Sequence, residues 1–178
     1  LMGNDATVTM TIICGDNYAV EHQDQVTAAV IDKVRAIGAD LFAAGPCFDA
    51  GRYGMAAGAI ATAVQSELGI PAITAMHVEN PGVDLFREAL HIVDSGTNVA
   101  KMRDVVVTMA KLGRKLAAKQ PIGLPAEEGY ISRGLLRDQL GDKTAATRMV
   151  DMLVAKLKGE KFESEMLPTT FAPIPMPP

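Results

Sequence analysis

The chain has 178 residues, a net charge of −4 and 48% hydrophobic residues. That size suffices for one domain with a substantial core, and the composition excludes disorder as the default class. Acidic and basic residues are mixed without a basic stripe and aromatics are only 4%, which excludes a nucleic-acid-binding face as a working reading. Two cysteines, Cys14 and Cys47, form no CxxC pair. So few thiols in a chain of this size argue against a disulfide-stapled fold and for a reducing, cytoplasmic setting. No apolar run approaches the roughly 20 residues that span a bilayer. The start, Leu1-Met2-Gly3, has no signal-peptide architecture, and Leu1 ahead of Met2 points to a tag remnant or a cut end.

Taken in chain order, Thr7 to Cys14 is rich in Val, Thr and Ile and predicts a strand, broken by Gly15-Asp16-Asn17. Glu21 to Ile37 predicts an amphipathic helix, with Val26, Ala29, Val30, Val34 and Ile37 at helical spacing and Gly38 as its stop. Asp40 to Ala44 is a short apolar run without alternation, as in buried parallel strands. Met55 to Leu68 predicts a second helix, whose small residues (Ala56, Ala57, Gly58, Ala59, Ala61, Ala63) let it lie close to a neighbour; Gly69 ends it. Ile70 to Met76 predicts the next strand and Leu90 to Val93 a fourth. Asn98 to Lys119 predicts a long helix, Pro121 to Gly134 an extended loop, and Lys143 to Lys158 a final helix.

The alternation of strands and helices with short connections predicts an α/β fold. It is a three-layer domain with a mostly parallel sheet, helices on both faces and a Rossmann-like or flavodoxin-like βαβαβ core. The domain is expected to span residues 1–167. Residues 168–178 carry five prolines in eleven, which excludes a regular helix or central strand and predicts an arm or linker. Such a tail points to further protein beyond it or to an arm that wraps a partner.

The polar residues concentrate in three loops: Cys14 to Tyr18, Ala44 to Gly54, and His77 to Gly82. In a parallel sheet, loops at the carboxyl ends of strands share one edge, where open α/β sheets bind ligands. That rim would hold Asp16, Asn17, Cys47, Asp49, Arg52, Tyr53, His77, Glu79 and Asn80. Each has a plainer role beside the functional one. Cys14 fits a small buried hydrophobe. Cys47 is either structural or a reactive thiol, its pKa lowered by Arg52 and a helix start. Asp49 caps a turn or meets a ligand. Arg52 clamps a carboxylate or braces Asp16 or Asp49. His77 is an acid–base group or a hydrogen-bonded structural residue. His22 and His91 fall in a predicted helix and strand and are given no role. No GxGxxG, Walker loop, GxSxG or HExxH occurs, and no structural-zinc spacing.

Several segments together resemble one family. They are Ile13-Cys14-Gly15-Asp16-Asn17-Tyr18; the run Ala44-Gly45-Pro46-Cys47-Phe48-Asp49-Ala50-Gly51-Arg52-Tyr53-Gly54; Gly69-Ile70-Pro71-Ala72; Glu79-Asn80-Pro81-Gly82; and Pro125-Ala126-Glu127-Glu128-Gly129-Tyr130-Ile131. From about Val8 to Phe162 the chain is similar to the selenoprotein B subunit of glycine/sarcosine/betaine reductase, in its N-terminal half. The resemblance implies an oxidoreductase of amino-acid metabolism. Component B receives glycine, sarcosine or betaine, cleaves the C–N bond reductively and passes a carboxymethyl group to selenoprotein A, after which component C yields acetyl phosphate. It also implies a partner subunit whose pyruvoyl group holds amine substrates as a Schiff base. Members are more than twice as long and carry a selenocysteine or cysteine nucleophile in the second half. A selenol or thiolate suits this displacement because it is a strong nucleophile at neutral pH. Where the family usually has Ala and Asn, this chain has Cys47 and Asp49.

These residues give a set of expectations. Arg52 binds a substrate carboxylate, with Asp16, Asn17, Asp49 and Tyr53 fixing its orientation; Cys47, His77 and Glu79 are the catalytic candidates. No cofactor or metal is expected on this chain. The expected partners are the second half of the reductase B subunit or an equivalent chain, a pyruvoyl-type subunit and a small-molecule substrate, in a cytoplasmic hetero-oligomer without nucleic acid or membrane. Two alternatives stand beside this. One is a selenium-free enzyme using Cys47 on a different small substrate; the other is a non-catalytic subunit docking through Pro168–Pro178 and the small-residue helix.

Overall fold

The computed structural model describes residues 6–134 and 143–162. The chain divides at Leu135 into two compact units. The proline-rich arm predicted at 168–178 lies outside the described residues.

The first unit is built on three parallel strands in the order β1 (Phe42–Ala44), β2 (Ala72–Met76) and β3 (His91–Asp94). The register aligns Phe42 with Ala72 and Ile73 with His91. α3 (Gly51–Leu68) joins β1 to β2 and α4 (Pro81–Phe86) joins β2 to β3. α5 (Met102–Ala117) follows a 3₁₀ turn at Val99–Lys101. The fold is thus a three-layer α/β domain with helices on both faces of a parallel sheet.

β2 shows why its sequence has no alternation. Ala72 and Met76 pack with Ala57 and Ala61 of α3 and Val83 of α4. Ile73 and Ala75 pack with Val105, Met109 and Leu112 of α5 on the other face. With both faces covered, every residue of β2 is buried. The small residues of α3 serve contact as expected. A Cβ at Gly58 would lie 2.1 Å from the Phe86 ring, so only glycine lets α4 come this close.

Four expectations are corrected. Thr7 to Cys14 is not a strand: it runs without secondary structure and is exposed throughout. Strand propensity measures fit to a pleated, half-buried surface, and among the described residues this segment has no such surface. The βαβαβ unit therefore exists one strand later than predicted, as β1–α3–β2–α4–β3. The single helix predicted from Glu21 is two, α1 (Asp16–Glu21) and α2 (Gln23–Ile37), parted at His22 (φ −123°, ψ 40°). The Tyr18 ring lies 4.5 Å from that of His22 at the turn. Finally, Pro121 to Gly134 is not merely extended. It contains a helical turn, α6 (Pro125–Glu128), and Tyr130 bridges Val93 in antiparallel fashion.

α2 lies over α3, where Val26, Val30, Ile31 and Val34 meet Ala56 and Val64. Gly38 ends it at φ 60°, the left-handed conformation that favours glycine. In the second unit, α7 (Ala145–Lys158) starts with the Thr144 hydroxyl accepting from the Thr147 N–H, and Met149, Leu153 and Leu157 along one side are exposed. No helix among the described residues is long and apolar enough to cross a membrane.

Candidate functional site

The carboxyl ends of β1, β2 and β3 open into the loops Gly45–Ala50, His77–Asn80 and Ser95–Asn98. The first is laced to the second: the Cys47 N–H donates to Ala75 O (2.7 Å), and the His77 N–H donates to Phe48 O (2.9 Å). The loop thereby continues alongside β2 after β1 has ended.

Asn80 locks this arrangement. It is 1% exposed. Its amide donates to Phe48 O (3.0 Å) and Ala50 O (3.2 Å), and its Oδ1 accepts from the Gly82 N–H (3.0 Å), capping α4. Pro81 follows at the first helical position, where its missing N–H costs nothing. Phe48 sits at φ 51°, a strained conformation for a non-glycine residue, and its carbonyl is held by both Asn80 and His77. Gly54 makes the contact possible, because a Cβ there would lie 2.2 Å from Asn80 Oδ1.

On this scaffold stand the predicted site residues. Arg52, exposed in the first turn of α3, donates from Nη1 to Asn17 Oδ1 at 2.6 Å. No strand brings Asn17 to the sheet edge; it meets Arg52 from the first turn of α1. Asp16 Oδ1 accepts from the Asn17 N–H (2.9 Å) in the first turn of α1. The Asp49 carboxylate lies 3.8 Å from His77 Nδ1. The Glu79 N–H donates to that same Nδ1 at 3.4 Å. The two contacts require opposite states: Nδ1 accepts from Glu79 only when unprotonated and pairs with Asp49 only when protonated. The His77 side chain is 17% exposed, so a solute at the rim can reach the ring. The Glu79 residue is exposed. Partial burial, and then the nearby Cys47, push the half-exposed Tyr53 phenol above its ordinary range.

The two cysteines reverse expectation. Cys14 is exposed. Cys47 is fully buried, packed with Ala57, Met76 and Ile92, and its Sγ lies 4.0 Å from Thr74 Oγ1. Burial pushes its thiol up to about 12 and the Thr74 contact only partly offsets this, opposite to the lowering expected from Arg52 and a helix start. Burial removes the hydration that a thiolate needs.

Sequence reasoning placed Asn80 on the rim without giving it a role, and it missed the loop after β3. There Ser95 is 1% exposed, its N–H donates to Met76 O (3.0 Å), and Asp94 Oδ1 accepts from the Gly96 N–H (2.9 Å). The signal lies in the sequence, where Asp94-Ser95-Gly96 follows the predicted strand Leu90 to Val93. The motif Pro125 to Ile131 is a clasp on the sheet. Glu128 accepts from the Lys115 ammonium and the Gly123 N–H, Tyr130 Oη donates to Gly123 O (3.0 Å), and the Ile131 N–H donates to Ile92 O (2.7 Å). Among the described residues, no group of three or more His, Cys, Asp or Glu side chains is placed to hold a metal ion.

The chain is an open parallel α/β sheet with a polar, partly exposed rim over its carboxyl edge, the place where such sheets commonly build ligand sites. The family model for glycine/sarcosine/betaine reductase selenoprotein B matches residues 1–178, and the chain belongs to that family. It is 46% identical over 165 residues to the glycine reductase complex component B subunit gamma of Peptoclostridium litorale, covering 93% of this chain and 38% of that one. It is 42% identical over 174 residues to the sarcosine reductase complex component B subunit beta of Peptoclostridium acidaminophilum, covering 98% and 40%. It is 40% identical over 163 residues to the betaine reductase complex component B subunit beta of the same organism, covering 90% and 37%. The chain thus spans about two fifths of the length of these relatives. No solved structure matches it.

Proposed function

We propose that this chain forms one wall of the substrate site in a reductase complex that cleaves the C–N bond of a small carboxylate-bearing amine. Family membership over the whole chain carries this reading. The rim supports a division of labour within it. Glycine, sarcosine and betaine, the compounds in the relatives' names, differ in N-methylation and share a carboxylate on a methylene. Arg52 suits the shared end, because its planar fork offers five N–H donors and Asn17 takes one of those on Nη1. The α3 N-terminus adds a favourable field for an anion. Asn17 fixes the fork, Asp16 fixes Asn17, and Tyr53 and Asp49 border the bound molecule.

His77 is the residue we assign to proton handling. The His77 ring, between Asp49 and the Glu79 N–H, is the candidate acid–base group for a substrate nitrogen that carries an exchangeable proton. Glu79, exposed beside it, is the weaker candidate. The nucleophile and the pyruvoyl group are expected on partner chains of a hetero-oligomer, and Cys47 is too buried to attack a substrate at the rim. The test is reconstitution with the missing complement of subunits, assaying glycine, sarcosine and betaine in turn. Turnover of one of them that requires this chain is expected. Equal turnover without it would overturn the reading.

A further inference from the structure

We propose that Asn80 is a positioning residue for the acid–base pair of the rim. Its carboxamide holds the turn that carries Asp49 against His77 and so sets the separation of the two side chains. The proposal rests on the reading above, in which His77 handles the proton.

Asn80 caps α4, and capping needs only its oxygen: Oδ1 accepts from the Gly82 N–H at 3.0 Å. Asp, Ser or Thr would cap as well. Of these four residue types, only Asn also carries an NH₂ group with two donors. In this chain that group donates to Phe48 O at 3.0 Å and to Ala50 O at 3.2 Å, the carbonyls of the residues on either side of Asp49. The backbone completes the frame. The Asn80 N–H donates to His77 O at 2.9 Å, and the His77 N–H donates to Phe48 O at 2.9 Å. One side chain and its own peptide N–H thus grip both the segment that carries Asp49 and the residue that faces it.

The gripped turn depends on outside support. Within it, the Ala50 N–H donates to Cys47 O at 3.1 Å, and Phe48 stands at φ 51°. A left-handed conformation costs a non-glycine residue on the order of 1–3 kcal/mol and persists only where surrounding bonds over-determine it. Phe48 O accepts from both Asn80 and His77, so those bonds come from the loop after β2. The clamp is sealed and the pair is open: Asn80 is 1% exposed, whereas the His77 and Asp49 side chains are 17% and 63% exposed. At 3.8 Å, Asp49 Oδ1 and His77 Nδ1 stand at the outer edge of pairing range. A shift of the turn by a fraction of an ångström takes them past the roughly 4 Å limit of an ion pair.

Asn80→Ser separates positioning from capping. Serine still caps α4, but its side chain is shorter and its single O–H cannot serve two carbonyls. A crystal structure of the Asn80→Ser chain is expected to keep α4 and to show Asp49 Oδ1 more than about 4 Å from His77 Nδ1. In the reconstituted complex, kcat is expected to fall at least about tenfold with KM within about twofold, the mark of a group displaced from the chemistry rather than from substrate binding. In a His77→Gln background the same substitution is expected to change kcat by less than about twofold, because the residue it positions is gone. A merely structural Asn80 gives equal falls in the two backgrounds, and that result would overturn the proposal. So would an Asp49–His77 pair left in place in Asn80→Ser, or a kcat that the substitution does not lower. Each of these leaves the proposed function standing. A wild-type complex that turns over none of glycine, sarcosine and betaine overturns the proposed function, and the role of Asn80 with it.

Discussion

β2 and Thr7–Cys14 look alike as sequence, both short runs of strand-favouring residues followed by a polar loop. In the folded chain they are opposites. β2 is paired on both edges and covered on both faces, whereas Thr7–Cys14 has no strand pairing among the described residues and leaves Val8 and Ile13 largely exposed. The difference lies in what surrounds them. The small residues of α3 and the apolar side of α5 supply β2 with two faces. The lesson is that a strand is a property of a pair of segments, and one sequence shows only half of each pair.

The comparison can be broken at several points. The thiols differ most. With its pKa at about 12, Cys47 is thiolate in roughly one molecule in ten thousand at pH 8 and is shielded as well. Iodoacetamide is therefore expected to label exposed Cys14 in the native chain and to reach Cys47 only after unfolding, read by mass spectrometry of the two peptides. Next comes packing. Ile73→Ala in β2 should cost about 2–5 kcal/mol in urea unfolding, through lost burial and a cavity. Asn80→Ala should cost about 1–3 kcal/mol in the same measurement, because Phe48 O, Ala50 O and the Gly82 N–H lose a buried partner. Gly54→Ala should mimic it, by driving a methyl into the same amide.

A smaller effect is expected at the clasp. The Lys115 ammonium and the Gly123 N–H hold the Glu128 carboxyl below the usual range. Its folded pKa is lowered, so its contribution is present above the unfolded value of about 4.3 and fades as pH falls through the folded value. Thermal melts should show this acid-side loss in the wild type and a weaker one in Lys115→Met. Smallest of all is Ile12→Ala, expected to change the stability of the chain alone by no more than about 0.5 kcal/mol. A cost like that of Ile73→Ala would show that the segment is already packed.

Most of the helix and strand order was legible because periodicity and glycine stops are local signals. Gly38, Gly69 and Gly159 each follow their helix in the left-handed conformation. The unpaired Thr7–Cys14 was not legible, since pairing is nonlocal. The neighbourhood of the loops after β1 and β2 was legible, because the ends of parallel strands gather in one place. The roles within it were less so. That Arg52 would meet Asn17 depended on the placement of α1 beside α3, and that Cys47 would turn inward accompanies the pairing of the loop after β1 with the end of β2. Asn80 itself reads as an ordinary residue before a proline, and only the three-dimensional contacts show that it organises the loop.

The role proposed for Arg52, binding the carboxylate that glycine, sarcosine and betaine share, is decided by steady-state kinetics of Arg52→Ala in the reconstituted complex. The account predicts a fall in kcat/KM of roughly ten- to a hundredfold, the scale of one charge-assisted hydrogen-bonded contact of about 1.5–3 kcal/mol, with the complex still assembled. Unchanged kcat/KM in an intact complex would contradict it.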